Sequence, residues 1–200
     1  MSKFEVGHEV RDPSGHIGTV AAISGECVTV CFSGNLHVTY RAYQITAAHS
    51  LKVKRLFPDA TLPKYQTAGA AAFDLPAYPG TSDGYYGQGD LLMNPGDRLS
   101  IGTGLAFDIP AGHVLYVTGR SGLAFRQSIF AAHAIGVIDS DYRGEVRILL
   151  ENRGETTARI AHGDRIAQAM LIKCPQVELI EVDELSETER GTSGYGSTGK

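Results

Sequence analysis

The 200-residue sequence predicts an all-β protein. It contains 24 glycines, and many of them separate short apolar runs, a pattern typical of strands joined by tight turns. No segment before residue 120 sustains a helical period of apolar residues, and only residues 123–130 suggest a short helical or looped piece. Hydrophobic residues make up 42% of the chain, which is enough to bury a core in a protein of this length.

The composition argues against several classes of function. A net charge of −4 gives no electrostatic footprint for duplex nucleic acid, and no apolar run approaches the length that spans a membrane. The N-terminus has no apolar signal core, so we expect a cytoplasmic protein. The three cysteines, Cys27, Cys31 and Cys174, are expected to be reduced thiols rather than disulfide partners or zinc ligands.

Residues 1–47 differ from the rest and are expected to form a small SH3-like β-barrel appendage. Short strands alternate with turn signals, and Val28, Val30 and Phe32 recur with period two. Three basic and four acidic residues give this segment a net charge of −1, so it lacks a basic face. We therefore expect a structural role or contact with another protein, and no nucleic-acid partner.

Residues 51–189 are predicted to form the main domain, a jelly-roll-like β-barrel. Its first strand covers residues 51–56, a later strand covers 114–118, and further strands are expected within 156–183. The last segment, residues 190–200, contains four glycines, and is expected to form a flexible C-terminal arm.

The chain is organised around residues 136–146, where two apolar runs flank aspartates, a serine, an arginine and a glycine. This pattern predicts two strands joined by a tight hairpin, with Gly144 at a positive φ. Asp139 would hold a fixed carboxylate at the end of the first strand, beside the flat ring of Tyr142. That pair suits a small planar ligand with a reacting centre nearby, although the stretch taken alone favours an ordinary turn.

Four other stretches carry groups suited to a nucleotide. Taken alone, three of them favour a structural interpretation, and the C-terminal arm favours a disordered tail. Arg120, Ser121 and Gly122 offer a guanidinium, a hydroxyl and an approachable backbone for phosphate oxygens. Gln168 offers an amide donor, and Asp74 could hold a metal-bound water or an arginine. The C-terminal arm could lie over a nucleotide, with Tyr195 on the base and Arg190, Ser197 and Thr198 at phosphates.

These five stretches, in this order, resemble the five motifs of the trimeric deoxyuridine triphosphatases (dUTPases), and the resemblance covers residues 51–200. It implies a homotrimer with three sites at subunit interfaces. It also implies the activity of a dUTP diphosphatase, which hydrolyses dUTP to dUMP and pyrophosphate with Mg²⁺, limiting uracil in DNA and supplying dUMP for dTMP synthesis. The Mg²⁺ would ride on the triphosphate through waters, with no direct protein ligand and with Asp74 as a possible outer contact.

The resemblance also implies roles for single residues. Asp139 would orient the attacking water as the catalytic residue, and Tyr142 would pack under the deoxyribose and exclude a 2′-hydroxyl. Backbone groups near Val137 and Ile138 would read the uracil edge. The remaining substrate contacts would be Arg120, Ser121, Gly122, His133, Arg147, Gln168, Arg190, Tyr195, Gly196 and Ser197.

The sequence departs from the family pattern at several positions. Ser193 stands where the family usually has glycine, Tyr195 replaces the usual phenylalanine, and Thr118-Gly119 precedes Arg120 where proline is common. His133 stands at a base-proximal position, where it either contacts uracil or fills space. Two alternatives stay open: a dCTP deaminase-like enzyme on the same fold, and a regulatory or interaction protein built on a dUTPase body.

Overall fold

A computed structural model describes residues 4–44, 46–47, 50–83 and 89–194 of the chain. Within these ranges the chain forms strands throughout, one α-helix and two short 3₁₀ helices, so the predicted all-β class is confirmed. None of the helices in the described ranges has the length and hydrophobicity needed to cross a membrane. All three cysteines are free, as expected from the sequence.

The N-terminal region forms a five-stranded antiparallel sheet in the order β4-β3-β2-β1-β5. Its strands are β1 (Glu9–Arg11), β2 (Ile17–Ser24), β3 (Cys27–Phe32), β4 (Leu36–Arg41) and β5 (Thr46–Ala47), with a 3₁₀ helix at Ala42–Gln44. One face is apolar because alternate residues of the strands point the same way, and it buries Phe4, Val10, Val20, Val28 and Val30. This region therefore has an apolar cluster of its own.

The remaining strands form four sheets, in the orders β10-β6, β13-β11-β16-β7, β12-β14-β9 and β15-β8. They are β6 (Lys52–Arg55), β7 (Phe73–Pro76), β8 (Leu91–Met93), β9 (Arg98–Gly102), β10 (Leu105–Asp108), β11 (His113–Gly119), β12 (Ile129–Ala131), β13 (Ile135–Ile138), β14 (Arg147–Asn152), β15 (Ala158–Ile160) and β16 (Arg165–Lys173). The second 3₁₀ helix covers Pro79–Thr81, and helix α1 covers Ser121–Gln127. The described residues show no closed barrel, but one apolar core receives side chains from all four sheets.

The predicted hairpin at residues 136–146 is wrong. Strand β13 pairs with β11, whereas β14 pairs with β12 and β9, so residues 139–146 connect two different sheets. Both apolar runs are strands, but their partners are distant in sequence, which a local pattern does not reveal. We call residues 139–146 the inter-sheet connection.

The expectation for Gly144 is also wrong, because its φ is not positive. A Cβ at this position would lie 2.4 Å from the hydroxyl oxygen of Tyr142 and 2.6 Å from its Cζ atom. Glycine is therefore needed here for the close approach of the tyrosine ring, and not for an unusual backbone conformation.

The predicted strands between residues 156 and 183 are found only in part. Strands β15 and β16 lie in this range, and β16 ends at Lys173. Residues 174–194 contain no strand, and the apolar side chains of Val177, Leu179 and Leu185 are exposed.

Candidate active site

The predicted phosphate-binding residues meet at the end of the four-stranded sheet. Asp74, on β7, is a buried residue with 7% exposure, and its carboxylate binds two arginines. Its Oδ1 lies 2.9 Å from Nε of Arg120, and its Oδ2 lies 3.1 Å from Nη1 of Arg165. A second group of Arg120, Nη1, donates to the carbonyl oxygen of Arg165 at 2.8 Å. Asp74 thus fixes the direction of Arg120, in agreement with the expectation that it could hold an arginine.

Strand register explains why these groups meet. Gln168 on β16 lies between Thr118 of β11 and Asp74 of β7. The Gln168 amide donates to the carbonyl oxygen of Gly119 at 3.2 Å, directly before Arg120. Sequence-distant stretches therefore reach one end of one sheet.

Helix α1 begins immediately after Arg120, so Ser121 and Gly122 lie beside the same arginine. A cavity of about 300 Å³ lies here, and it is lined by Gln66, Ala70, Ala72, Asp74, Arg120, Ser121, Gly122, Arg165 and Gln168. We call this the phosphate cluster. The structure thereby brings together Arg120, Ser121, Gly122 and Gln168, for which phosphate contacts were predicted.

The inter-sheet connection forms a second cavity of about 250 Å³, lined by Val137, Ile138, Asp139, Tyr142, Glu145, Val146 and Arg147. The backbone N–H of Tyr142 donates to the carbonyl oxygen of Asp139 at 3.2 Å, which closes a turn. The Tyr142 hydroxyl donates to the carbonyl oxygen of Glu145 at 3.0 Å. We call this the nucleoside cluster, and it gathers Val137, Ile138, Asp139, Tyr142 and Arg147, for which substrate or catalytic roles were predicted.

Arg147 is engaged by its own chain. Its guanidinium donates to the Ser100 hydroxyl at 3.0 Å and to the carbonyl oxygens of Ser100 and Thr81, and it pairs with Asp83 at 2.9 Å. It also lies 3.3 Å from Glu145. These contacts give Arg147 a role in holding the second 3₁₀ helix against β9 and β14.

Glu145 is a site residue to which the sequence analysis gave no role. Its Oε1 accepts hydrogen bonds at 2.7 Å from both the Thr81 hydroxyl and the Gly104 N–H. Its side chain is 13% exposed, so these bonds and Arg147 replace the water that burial removes. Glu145 lies two residues before Arg147, the first residue of β14. In an extended chain this spacing places the two side chains on one face, and it was the signal that the sequence offered.

His133 lies on the phosphate-cluster side of β13. It precedes Gly136, whose backbone pairs with Val117, and its ring lies against Gly136. The Nδ1 atom is buried without a hydrogen-bond partner among the described residues. Burial lowers the pKa of His133 below its usual value, so the imidazole is neutral at pH 7.

The C-terminal arm is described only through residue 194. The Arg190 Nε donates to the carbonyl oxygen of Ser193 at 3.0 Å. Tyr195, Gly196 and Ser197, predicted to contact the substrate, lie outside the described residues.

The two clusters lie at opposite ends of β11. Ile138 pairs with Leu115, so Asp139 is level with Val114, whereas Arg120 follows the other end of the strand. Six residues separate Val114 from Arg120, which corresponds to about 20 Å at the usual rise of a strand. Within one chain, Asp139 and Arg120 therefore do not face the same small ligand group.

Comparison with known proteins shows the family. The dUTPase family model matches residues 58–199. The chain belongs to the dUTPase family. The deoxyuridine 5′-triphosphate nucleotidohydrolase of Nautilia profundicola is 47% identical over 150 residues, covering 75% of this chain and 99% of that protein. The corresponding protein of Caulobacter vibrioides is 42% identical over 157 residues, covering 78% of this chain and 97% of that protein.

Solved dUTPases share the fold. The dUTPase of Staphylococcus bacteriophage 80alpha, solved with dUpNHpp, aligns with a TM-score of 0.66 at 26% identity, covering 76% of this chain and 99% of that one. A mutant dUTPase from phage phi11 of S. aureus, whose structure reveals the coordination of a structural Mg(II) ion, aligns with a TM-score of 0.60 at 22% identity. The match to the dUTPase family model begins at residue 58, so the N-terminal five-stranded sheet precedes the matched residues.

Proposed function

We propose that this dUTPase-family chain hydrolyses dUTP to dUMP and pyrophosphate at sites that each combine two subunits. The observation that carries the proposal is the family match over residues 58–199, which includes both clusters. The two bacterial relatives described above are 42% and 47% identical to this chain, and both are named for the hydrolysis of deoxyuridine 5′-triphosphate.

The phosphate cluster is proposed to hold the triphosphate. Arg120, Ser121 and Gly122 would donate to phosphate oxygens, and the Gln168 amide lies on the same cavity. Asp74 and the carbonyl oxygen of Arg165 orient Arg120 through Nε and Nη1, so Nη2 is the group proposed to meet a phosphate. Donors fixed before the substrate arrives stabilise charge as it develops, without a cost of reorganisation during the reaction.

The nucleoside cluster is proposed to hold the base and sugar and to supply the general base. Backbone groups at Val137 and Ile138 would read the uracil edge, and the Tyr142 ring would pack under the deoxyribose. Asp139 would orient the attacking water and accept its proton, an effect worth typically about 10²–10⁴-fold. The contacts of Arg147 with Thr81, Ser100 and Asp83 support an indirect role, in which it shapes the cavity wall.

The separation of the clusters supports sites shared between subunits, which we propose belong to a homotrimer, as the family resemblance implies. A general base must lie within hydrogen-bond reach of the proton it takes, directly or through one water. About 20 Å along β11 excludes this for Asp139 and a phosphate bound at Arg120 of the same chain. If one subunit supplies Asp139 and its neighbour supplies Arg120, both residues can reach the same nucleotide. The arm residues Arg190, Tyr195, Gly196 and Ser197 are proposed to close over the nucleotide from a neighbouring subunit.

We propose Mg²⁺ as the cofactor, carried by the triphosphate through waters. The described residues bring together no group of three or more His, Cys, Asp or Glu side chains that could hold a metal ion. Phosphate oxygens and waters suit Mg²⁺, which gives up its water ligands reluctantly. Bound there, the ion would neutralise phosphate charge. We also propose a cytoplasmic location, which the three free cysteines support.

One experiment tests the activity and the shared site together. The parent protein should release pyrophosphate from dUTP with Mg²⁺, with far less from dCTP, dTTP or UTP and without ammonia from dCTP. Asp139→Ala and Arg120→Ala should each be nearly inactive.

Co-refolding the two variants in equal amounts should restore about a quarter of the parent activity, because one site in four then combines intact partners from two chains. A parent that does not hydrolyse dUTP would refute the activity. An active parent whose inactive variants do not complement each other would refute the shared site alone.

A further inference from the structure

Arg143 ties the inter-sheet connection to a strand of a different sheet. Its Nη1 donates to the carbonyl oxygens of Ser140 at 2.6 Å and of Tyr142 at 3.1 Å. Its Nη2 donates to Oδ1 of Asp108, the last residue of β10, at 2.8 Å. One side chain therefore holds two backbone groups of the connection and one carboxylate outside it.

The carboxylate at the other end of this contact is itself fixed. Asp108 pairs with Lys52 in the β10-β6 ladder, and the Lys52 ammonium lies 2.9 Å from Oδ2 of Asp108. Each oxygen of Asp108 thus has its own cation. We call Arg143, Asp108 and Lys52 the brace.

The brace acts on the part of the connection that carries the proposed chemistry. Asp139 and Tyr142 are the first and last residues of the turn closed by the Tyr142 N–H, and Arg143 binds carbonyls of the second and last residues of that turn. No hydrogen bond is recorded for the Asp139 carboxylate within the described part of the chain. Its position therefore depends on the backbone that Arg143 holds.

We propose that Arg143 and Asp108 are positioning residues, which fix the turn so that Asp139 and Tyr142 meet the nucleotide in the productive geometry. The proposal rests on the proposed function. The side chains of Arg143 and Asp108 are 55% and 44% exposed, so water screens the ion pair and its contribution to global stability is small. A misplacement of about 1 Å at a reacting group, in contrast, can lower a rate about 10²-fold.

The first test compares steady-state kinetics of Arg143→Gln, Asp108→Asn and the double variant. We expect each single change to lower kcat by about 10- to 100-fold, while KM changes less, because the general base acts mainly in the transition state. The double variant should be no worse than Arg143→Gln alone, since both changes break the same contact. Arg143→Lys should recover part of the loss, because an ammonium keeps the charge but not the fork of donors.

Arg153→Gln is the matched control. Arg153 is 56% exposed and pairs with Glu151 at 2.8 Å, so its exposure and its ion pair resemble those of Arg143, but it lies outside both clusters. We expect its kcat to stay within about twofold of the parent, as for a surface ion pair without a positioning role.

Amide hydrogen exchange gives a readout that does not depend on activity. Arg143→Gln should speed exchange in the peptide that covers residues 139–146 and leave peptides of β11 and β16 unchanged. Unchanged exchange in residues 139–146 would overturn the proposal, and so would faster exchange with an unchanged kcat. A parent enzyme that fails to hydrolyse dUTP would instead refute the proposed function, whatever the exchange shows.

Discussion

Replacing Asp74 by asparagine should destabilise the protein and misdirect Arg120. The carboxylate is buried and makes one charge-assisted bond to each of two arginines. Such bonds are worth about 1.5–3 kcal/mol each. The side chain of Arg165 is 47% exposed, so its bond to Asp74 belongs at or below the lower end of that range. The side chain of Arg120 is only 21% exposed, so its bond to Asp74 belongs nearer the upper end.

Because asparagine keeps one acceptor oxygen, we expect Asp74→Asn to lower the free energy of unfolding by about 2–3 kcal/mol. For a chain of this size that corresponds to a fall in Tm of about 4–12 °C. Calorimetry or circular dichroism would measure it. The turnover of dUTP should fall as well, since the Nε group of Arg120 loses its ionic partner.

Asp90→Asn is the control, because Asp90 pairs with Arg159, which is 66% exposed. Its effect should stay below about 1 kcal/mol. If Asp74→Asn lowers Tm no more than Asp90→Asn does, the reasoning that a buried carboxylate anchors the phosphate cluster is refuted.

Three further changes test other features of the structure. Gly144→Ala should displace the Tyr142 ring and raise the kcat/KM for UTP relative to dUTP, because the added Cβ would lie 2.4 Å from the tyrosine hydroxyl; an unchanged UTP-to-dUTP ratio would contradict this. The pKa of His133 is lower in the folded protein than its value of about 6.5 in the unfolded chain. Its contribution to the free energy of unfolding is therefore fully present above pH 6.5 and decreases as the pH falls below that value. In His133→Gln, the free energy of unfolding measured with urea should fall less between pH 7 and pH 5 than it does in the parent. An equal fall in both proteins would exclude His133 as a source of the pH dependence. Deleting residues 1–47 should leave dUTP turnover within about twofold and sedimentation as a trimer, since this region buries its own apolar face; a dissociated or tenfold weaker enzyme would make the region part of the site.

The sequence predicted local features better than long-range pairing. The all-β class and strand β11 follow from alternation and turn residues. The gathering of Arg120, Ser121 and Gln168 was implied by the resemblance to the dUTPase family and not by a local pattern. The hairpin prediction failed at β13 and β14, because two adjacent apolar runs do not show that their partners lie elsewhere.

The candidate site shows the same limit. Asp74 was predicted to hold a metal-bound water or an arginine, but its contacts with both Arg120 and Arg165 depend on the register of β7 against β16. The buried acceptor role of Glu145 depends on Thr81 and Gly104, which are 64 and 41 residues away along the chain. No local pattern reports such contacts.

The order of strand pairing has a consequence for synthesis on the ribosome. In the N-terminal sheet, strands β1 to β4 pair with their neighbours in sequence, so this region can fold while the rest is still being made. Strand β7, in contrast, pairs with β16, and the ion pair of Asp74 with Arg165 spans 91 residues. The phosphate cluster therefore cannot form until residue 168 has left the ribosome, and until then the apolar face of β7 stays exposed to aggregation. During synthesis the N-terminal sheet would therefore be folded while the larger, C-terminal part of the chain is still unfolded.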